Sequence, residues 1–436
     1  MSGAGLAVFV ADGTAVGSDE LQNDVRVTPP YLTRSYSCYR MLRDRDSATA
    51  VFPDGADAYC AARARETGTG LPRTRVFVDC SSPRFRAIER ERPTFVSKNV
   101  LGAAVAERLA LELADGYLCS DRQTEEWLRS SGWRLPPRLE APLDGAGVAR
   151  EDAAAQERPL VSVVIAYHER TQYLPFCLEG LARQTYASLE VVVADDGSTS
   201  AAARAQLAHV QQRTWPWPLR VVTSPRGGPA KARNSGWQAA TAELVAFIDD
   251  DDIPFDDMVE RLWHARVASG ADVAIAGSRL FRGDGLPEPR DADVIRIALC
   301  DPRELGLISN QYGGPVALWP RSLLEDLGGF TPSAVEDWVL LARAALRGAR
   351  MTTPPDPVHW YRQTGASRHS PDPVKMRDAG ISQVAEAFAQ RLPEELQLLP
   401  LLTAGAYSEL ERRARQSRRR RGPDVLRSLV RRIARR

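Results

Sequence analysis

The run from Leu244 to Pro254 restricts this chain more than any other stretch. Five apolar residues, Leu244 to Ile248, read as a buried strand. Four carboxylates follow without a break, Asp249, Asp250, Asp251 and Asp252, and Pro254 predicts the end of the strand. A buried strand closed by like charges is under electrostatic load unless cations gather at its end. Carboxylate oxygens are hard donors suited to Mg²⁺ or Mn²⁺. In open α/β sheets, ligands sit beyond the carboxyl ends of strands. The run therefore points to a divalent metal that holds a diphosphate. The competing reading is a solvated acidic turn that caps the next helix, a place Asp also favours.

A chain of 436 residues has room for two domains or three. Its 57 Lys and Arg against 56 Asp and Glu leave a net charge of +1, so nothing here argues for nucleic acid as a partner. No apolar run approaches the roughly 18 residues of a membrane span. The start, Met1 to Leu6, lacks the basic-then-apolar pattern of a secretory signal. The six cysteines (Cys38, Cys60, Cys80, Cys119, Cys177, Cys300) are scattered, with no Cys-x-x-Cys pair. That spacing argues against structural zinc and a disulfide framework, and for a reducing, cytoplasmic setting. The cysteines read as small buried apolar residues.

Residues 1–140 show α/β punctuation. Strands are expected at Leu6–Val10, Ala50–Phe52, Arg75–Val78 and Gly116–Cys119, with an apolar helix over Leu101–Leu113. Ser120 is placed to cap a helix that stops at Gly132. The order suggests a Rossmann-like layer. It has no Gly-x-Gly-x-x-Gly or Walker-type loop, so no cofactor is assigned to it. Residues 141–158 read as a linker, rich in Ala, Gly, Pro and charge.

The second domain, 159–375, opens with the buried strand Val161–Ile165 and the polar turn Tyr167-His168-Glu169-Arg170. An amphipathic helix follows, with Leu174, Cys177, Leu178 and Leu181 on one face. Next come the strand Val191–Ala194, ending in Asp195-Asp196-Gly197-Ser198, and the strand Leu219–Val222. The loop Ser224 to Pro229 then leads to a helix with Lys231, Arg233 and Asn234. Strand–helix alternation at this spacing predicts a parallel, doubly wound sheet. Its strand ends carry a coherent set. Asp195 and Asp196 suit a base edge or ribose hydroxyl. Glycines let the backbone approach a ligand closely. Lys231 and Arg233 bring charge for phosphates. Further on, Val273–Ala276 reads as a strand and residues 282–303 as a surface loop with a short helix, a lid facing the acceptor. Asn310–Trp319 reads as a strand after Gly313-Gly314, and Trp338–Leu346 as a helix. Trp215 and Trp217 read as a packed loop.

From Pro159 to about Ser370 the chain resembles a family 2 glycosyltransferase of the GT-A fold. The resemblance is carried by Val161 to Arg170, Gln184-Thr185-Tyr186, Asp195 to Ser198, Ala232-Arg233-Asn234 and Phe247 to Asp252. It continues in Gly328-Gly329-Phe330, Glu336-Asp337 and Tyr361-Arg362. It implies an inverting transfer from a UDP-, GDP- or TDP-sugar to a glycan, lipid-linked or small-molecule acceptor. By position, Ala166, Tyr167, Glu169 and Asp196 would contact the nucleotide. Lys231 and Arg233 would lie near its phosphates. Asp249, Asp250 and Asp251 would form the Asp-x-Asp region, with Asp251 the direct ligand of Mg²⁺ or Mn²⁺ and Asp249 beside it. Asp337 would be the general base, the alternative for Glu336-Asp337 being a helix cap. His359 and His369 are candidates to complete the metal shell. Ala166 departs from the family, which usually has Pro there, and Tyr167-His168 is inverted in order. In the first domain, Ala114 to Ser120 with Trp127-Leu128 and Gly132-Trp133 resembles the end of the N-terminal half of a GT-B glycosyltransferase. That implies an accessory domain for acceptor binding or assembly, or a plain structural role.

Residues 376–436 read as a helical extension. Its Arg-dense tail from Arg412 sets Val425, Leu426, Leu429, Val430 and Ile433 on one face. Such a helix can lie on anionic lipid at the inner face of a membrane, or can simply be solvated. Two enzyme rivals fit less well. A sugar-nucleotide pyrophosphorylase needs glycines right after its first strand, where Ala166 to Arg170 has none. A haloacid-dehalogenase-type phosphatase needs its Asp after the first strand, whereas this cluster comes late. The rival of another class is a non-catalytic nucleotide- or carbohydrate-binding scaffold.

Overall fold

The computed structural model describes residues 8–10, 15–16, 25–45, 49–93, 96–139, 157–288, 294–301, 305–333, 335–363 and 373–389. His369, the basic tail and nearly all of the 141–158 linker lie outside the described residues.

The N-terminal part runs β1 (Val8–Val10), β2 (Ala15–Val16), β3 (Arg26–Thr28), α1 (Thr33–Arg45), β4 (Thr49–Phe52), α2 (Tyr59–Glu66) and β5 (Arg75–Asp79). It continues with α3 (Arg84–Glu91), α4 (Lys98–Leu113), β6 (Gly116–Leu118) and α5 (Arg122–Ser130). Its sheet has the order β2-β1-β4-β5-β6, with β4, β5 and β6 parallel. The cap of α5 is Asp121, not Ser120: its carboxylate accepts from Gln123 N and Thr124 N, while Ser120 Oγ meets Ser81 Oγ. A carboxylate one residue later reaches the first free amides of the helix and also suits its dipole.

The rest runs β7 (Val161–Tyr167), α6 (Leu174–Ala182), β8 (Leu189–Asp195), α7 (Ala201–Gln212), β9 (Leu219–Thr223) and α8 (Pro229–Ala239). Then come β10 (Leu244–Asp249), β11 (Ile253–Pro254), α9 (Met258–Ser269), β12 (Val273–Ile275), β13 (Ser278–Arg282) and β14 (Val294–Arg296). The described chain closes with α10 (Leu305–Ile308), β15 (Ala317–Pro320), α11 (Arg321–Leu327), α12 (Glu336–Leu346), β16 (Met351–Thr352), β17 (His359–Gln363) and α13 (Pro373–Ala389).

The large sheet has the order β16-β12-β15-β10-β7-β8-β9. Strands β10, β7, β8 and β9 are parallel, and every residue of β7 and β8 is buried. Helices cover both faces, which is why these strands read as unbroken apolar runs. β15 is antiparallel to β10 and β12, so the sheet is mixed on that side. Helix α8 lies close on β7 because Gly236 has no side chain: a Cβ there would stand 2.3 Å from Val164 Cγ1. Among the described residues no helix is long and apolar enough to cross a membrane. All six cysteines are free and buried. Trp215 and Trp217 stack at 5.1 Å, and Trp217 Nε1 donates to Leu181 O.

β10 ends at Asp249, before Pro254, and Ile253–Pro254 forms a separate two-residue strand that pairs antiparallel with Trp360 and His359. This is an edge strand, where a missing amide is tolerated. Residues 294–301 are not surface loop: β14 pairs with both β13 and β3, and Ile295, Ile297 and Leu299 are buried in the core of the N-terminal part. Their period-two alternation was masked by the charged residues around them. The resulting sheet, β11-β17-β13-β14-β3, draws its last strand from the first forty residues of the chain. Tyr36 and Tyr39 both donate to Asp356, and Tyr59 donates to Ala298 O, across the same boundary.

Candidate active site

Strand register gathers the candidate residues. Asp249 lies beside Ala166, and Tyr167 lies beside Asp195. β8 and β9 extend the sheet on one side of β7, and β10 on the other. The carboxyl ends of β7 and β10 are thus a switch point, where a crevice opens.

On the β8 side the polar groups organise the loops. Asp195 accepts from Ser198 N at 3.0 Å, and its carbonyl accepts from Ser224 N at 3.0 Å. Gly197 follows with φ 67°, and a Cβ there would stand 2.7 Å from Arg226 N. Asp196 accepts from Gly227 N at 2.7 Å and Gly228 N at 2.9 Å, so its carboxylate closes the glycine-rich loop. Lys231 sits in the first turn of α8, directly after that loop. Glu169 holds a left-handed φ of 59° and accepts from Thr199 N, Ser200 N and Ser200 Oγ. These donors hold its carboxyl down to about 2, led by the Ser200 hydroxyl. Tyr167 is buried, and its hydroxyl meets Gln206 at 3.0 Å.

The load on the acidic turn is met by arginines. Arg170 pairs with Asp250 at 3.1 Å and with Asp251. Arg233, 2% exposed, donates to Asp249 Oδ1 at 2.6 Å and Glu336 Oε1 at 2.8 Å. The Arg362 amide donates to Asp252 at 3.2 Å, and its Nε donates to Asp251 O at 3.0 Å. Burial raises the Asp250 carboxyl to about 7, and its neighbours Asp251 and Asp249 push the same way, against Arg170. Burial also raises Asp252. His359 is buried, with Nε2 3.7 Å from Asp252. Burial pushes its imidazole down to about 3. Its Nδ1 has no hydrogen-bond partner among the described residues.

Glu336 and Asp337 are the first two residues of α12, after the N-cap Val335, so they do not cap the helix; Glu336 instead pairs with Arg233. Burial, then the Glu336 charge, raises the Asp337 carboxyl to about 6, against Arg233. The preceding turn is fixed by Asn234, which donates to Phe330 O and accepts from Phe330 N, both at 2.8 Å. Sequence reasoning assigned no role to Arg170 or Glu336 as ion-pair partners, nor to Arg362 as a donor to the acidic turn. The one available signal was charge balance: four adjacent carboxylates require nearby cations.

For a divalent ion, the donor set divides. The side chains of Asp250 and Asp252 are 3% and 1% exposed, whereas those of Asp249 and Asp251 are each 13% exposed. Two carboxylates at the opening suit an ion that takes its remaining ligands from phosphate and water. Among the described residues no group of three or more His, Cys, Asp or Glu side chains stands in a metal-holding arrangement.

Residues 162–318 match the family model described as glycosyl transferase family 2. Glycosyltransferase GlyG of Streptococcus pneumoniae is 34% identical over 117 residues, which cover 27% of this chain and 38% of that protein. The succinoglycan biosynthesis protein ExoO of Rhizobium meliloti is 27% identical over 220 residues, covering 48% of this chain and 62% of its own length. The chain thus spans less than two thirds of either relative. A solved mannosyltransferase, PcManGT from Pyrobaculum calidifontis in complex with GDP-Man and Mn²⁺, aligns with a TM-score of 0.43 at 24% identity. That alignment covers 72% of this chain and 81% of the other. Over residues 162–318 this chain is thus similar to glycosyl transferase family 2.

Proposed function

We propose that the chain is an inverting glycosyltransferase that moves a sugar from a nucleoside-diphosphate donor to an acceptor hydroxyl, in polysaccharide, glycolipid or glycoconjugate assembly. Residues 1–140 act as an accessory domain, 159–375 as the transferase unit and 376–436 as a helical extension. The observation that carries the reading is Arg233. It ties Asp249, at the end of the central strand β10, to Glu336, next to Asp337. One buried cation thus links the donor side of the site to the candidate base.

In the reaction, Asp337 takes the proton of the acceptor hydroxyl. The oxygen attacks the anomeric carbon as the bond to the diphosphate oxygen breaks on the opposite face, so configuration inverts. A carboxyl raised to about 6 is ionised at neutral pH yet basic enough to accept that proton. Asp196 and the Asp195–Ser198 turn flank the nucleotide, and Lys231 lies near its phosphates. Arg233 acts through Asp249 and Glu336, because its guanidinium is spent on them. A Mg²⁺ or Mn²⁺ ion, which Asp251 and Asp249 would hold, supplies positive charge against the leaving diphosphate when bound.

The test is nucleoside diphosphate release by the full-length protein from a panel of nucleotide sugars with Mn²⁺ or Mg²⁺. Release from one donor class is expected. It should fall about 10²- to 10⁴-fold in Asp337→Asn with nucleotide binding kept. Binding of no donor by the unaltered protein would leave the non-catalytic scaffold reading in its place.

A further inference from the structure

A second cleft lies on the other face of the β11-β17-β13 sheet. Side chains alternate along a strand, and the register pairs Ser278 with His359 and Arg279 with Trp360. His359 faces Asp252 and the acidic turn. Arg279, one residue on from Ser278, lies on the other face and lines a space shared with Arg43 of α1. There a cavity of about 590 Å³ opens between α1, α9 and the sheet, within the range of small-ligand clefts.

Its walls are chemically unequal. Arg279 stacks on Trp360, its guanidinium carbon 5.8 Å from the ring centroid, and its buried Nε has no hydrogen-bond partner among the described residues. No carboxylate lies within ion-pair distance of it among the described residues. Arg261 beside it spends its Nη atoms on the carbonyls of Pro357 and Asp356, both at 2.9 Å, with Asp257 no closer than 3.8 Å. Arg43 adds a third cation, already paired at 3.2 Å with Asp356, a carboxylate that lines the same cleft. The α9 wall is acidic. Glu260 pairs with Arg158 through Oε1, while its buried Oε2 has no donor among the described residues. Phe255 adds an apolar surface between the two walls.

A partly buried cation without a counter-ion costs stability unless an anion meets it. Arg279 Nε and Glu260 Oε2 are themselves closed to solvent, so a ligand would engage the outer nitrogens of Arg279 and the partly exposed carboxylates of Glu260 and Asp257. A carboxylate matches the planar guanidinium of Arg279, and sugar hydroxyls donate to Glu260 and Asp257. The C–H face of a pyranose packs on Phe255. We infer that this cleft binds a saccharide carrying a carboxylate, a hexuronate unit of a glycan, separately from the nucleotide site.

The test uses full-length protein and calorimetric titration with a hexuronate trisaccharide, its neutral hexose counterpart, inorganic phosphate and UDP with Mg²⁺. The hexuronate should bind saturably, with affinity about tenfold weaker in Arg279→Gln and partly restored in Arg279→Lys. Glu260→Gln should also weaken it, which keeps the test open if an Arg279 variant folds poorly. UDP should not compete, and its own binding should be unchanged in all three variants. Several results would overturn the inference. They are no saturable binding, equal binding of the neutral glycan or of phosphate, indifference to both substituted positions, or displacement by UDP. Donor release is read separately, so failure here leaves the transferase reading intact.

Discussion

Arg233 and Asp337 illustrate how much rests on single side chains at this site. Arg233 neutralises two carboxylates in a place 2% exposed. Removing one member of a buried ionic network leaves the others uncompensated, at a cost of about 3–5 kcal/mol. Arg233→Gln is therefore expected to lower the unfolding free energy measured in urea by that amount and to abolish diphosphate release together. Asp337 behaves differently. Its folded carboxyl is raised to about 6, above the unfolded value near 4, mainly by burial. The stability this shift contributes is present below about pH 4 and lost as pH rises through about 6. Asp337→Asn should thus melt higher than the unaltered protein at pH 8 and lose that advantage at pH 4. Transfer needs the ionised base, so the rate should climb between pH 5 and 7. A rate that is flat through pH 6, or an Asn variant that melts lower at pH 8, would count against this role.

At the scale of elements, the site is built by strand ends and helix starts. β7, β8 and β10 stop in register, and their polar residues necessarily fall together. Helices α7, α8 and α12 then begin at or beside those ends. The same logic holds α5 in the N-terminal part, where Asp121 caps through Thr124 N at 2.8 Å. Asp121→Ala should cost about 1 kcal/mol by chemical denaturation. Ser120→Ala, which removes no cap, should cost less. Equal losses in the two variants would return the cap to Ser120. The core strands β7, β8 and β10 were readable from apolar runs alone, because buried parallel strands carry an undiluted signal. Strand β14 was not readable, since its three residues are flanked by charge and its partners lie far away in sequence.

For the whole molecule, the decisive feature is the sheet shared by β3 and β14. Ile295 is fully buried among residues of the N-terminal part, including Tyr59 and Leu109. Ile295→Ala should cost about 2–5 kcal/mol. Because both parts use this contact, hydrogen exchange should quicken in α1 and α2 as well as in β13. Faster exchange on one side only would show that the two parts open independently.

The sequence alone determined the parallel strands, the identity of the acidic turn and the family resemblance, since each depends on residues that are close along the chain. It also pointed to buried free cysteines, which the structure bears out. The tertiary structure decided which cation meets which carboxylate. Arg170 reaches Asp250 across 80 residues, and Arg233 reaches Glu336 across 103. It also decided that β3 completes a sheet more than 260 residues downstream, a pairing of Val27 with Ile295. Local sequence sets propensity and periodicity, whereas ion pairing and sheet edges depend on where the folded backbone brings distant segments into range. That is why the ends of β7, β8 and β10 could be named in advance, and the arginines that hold them could not.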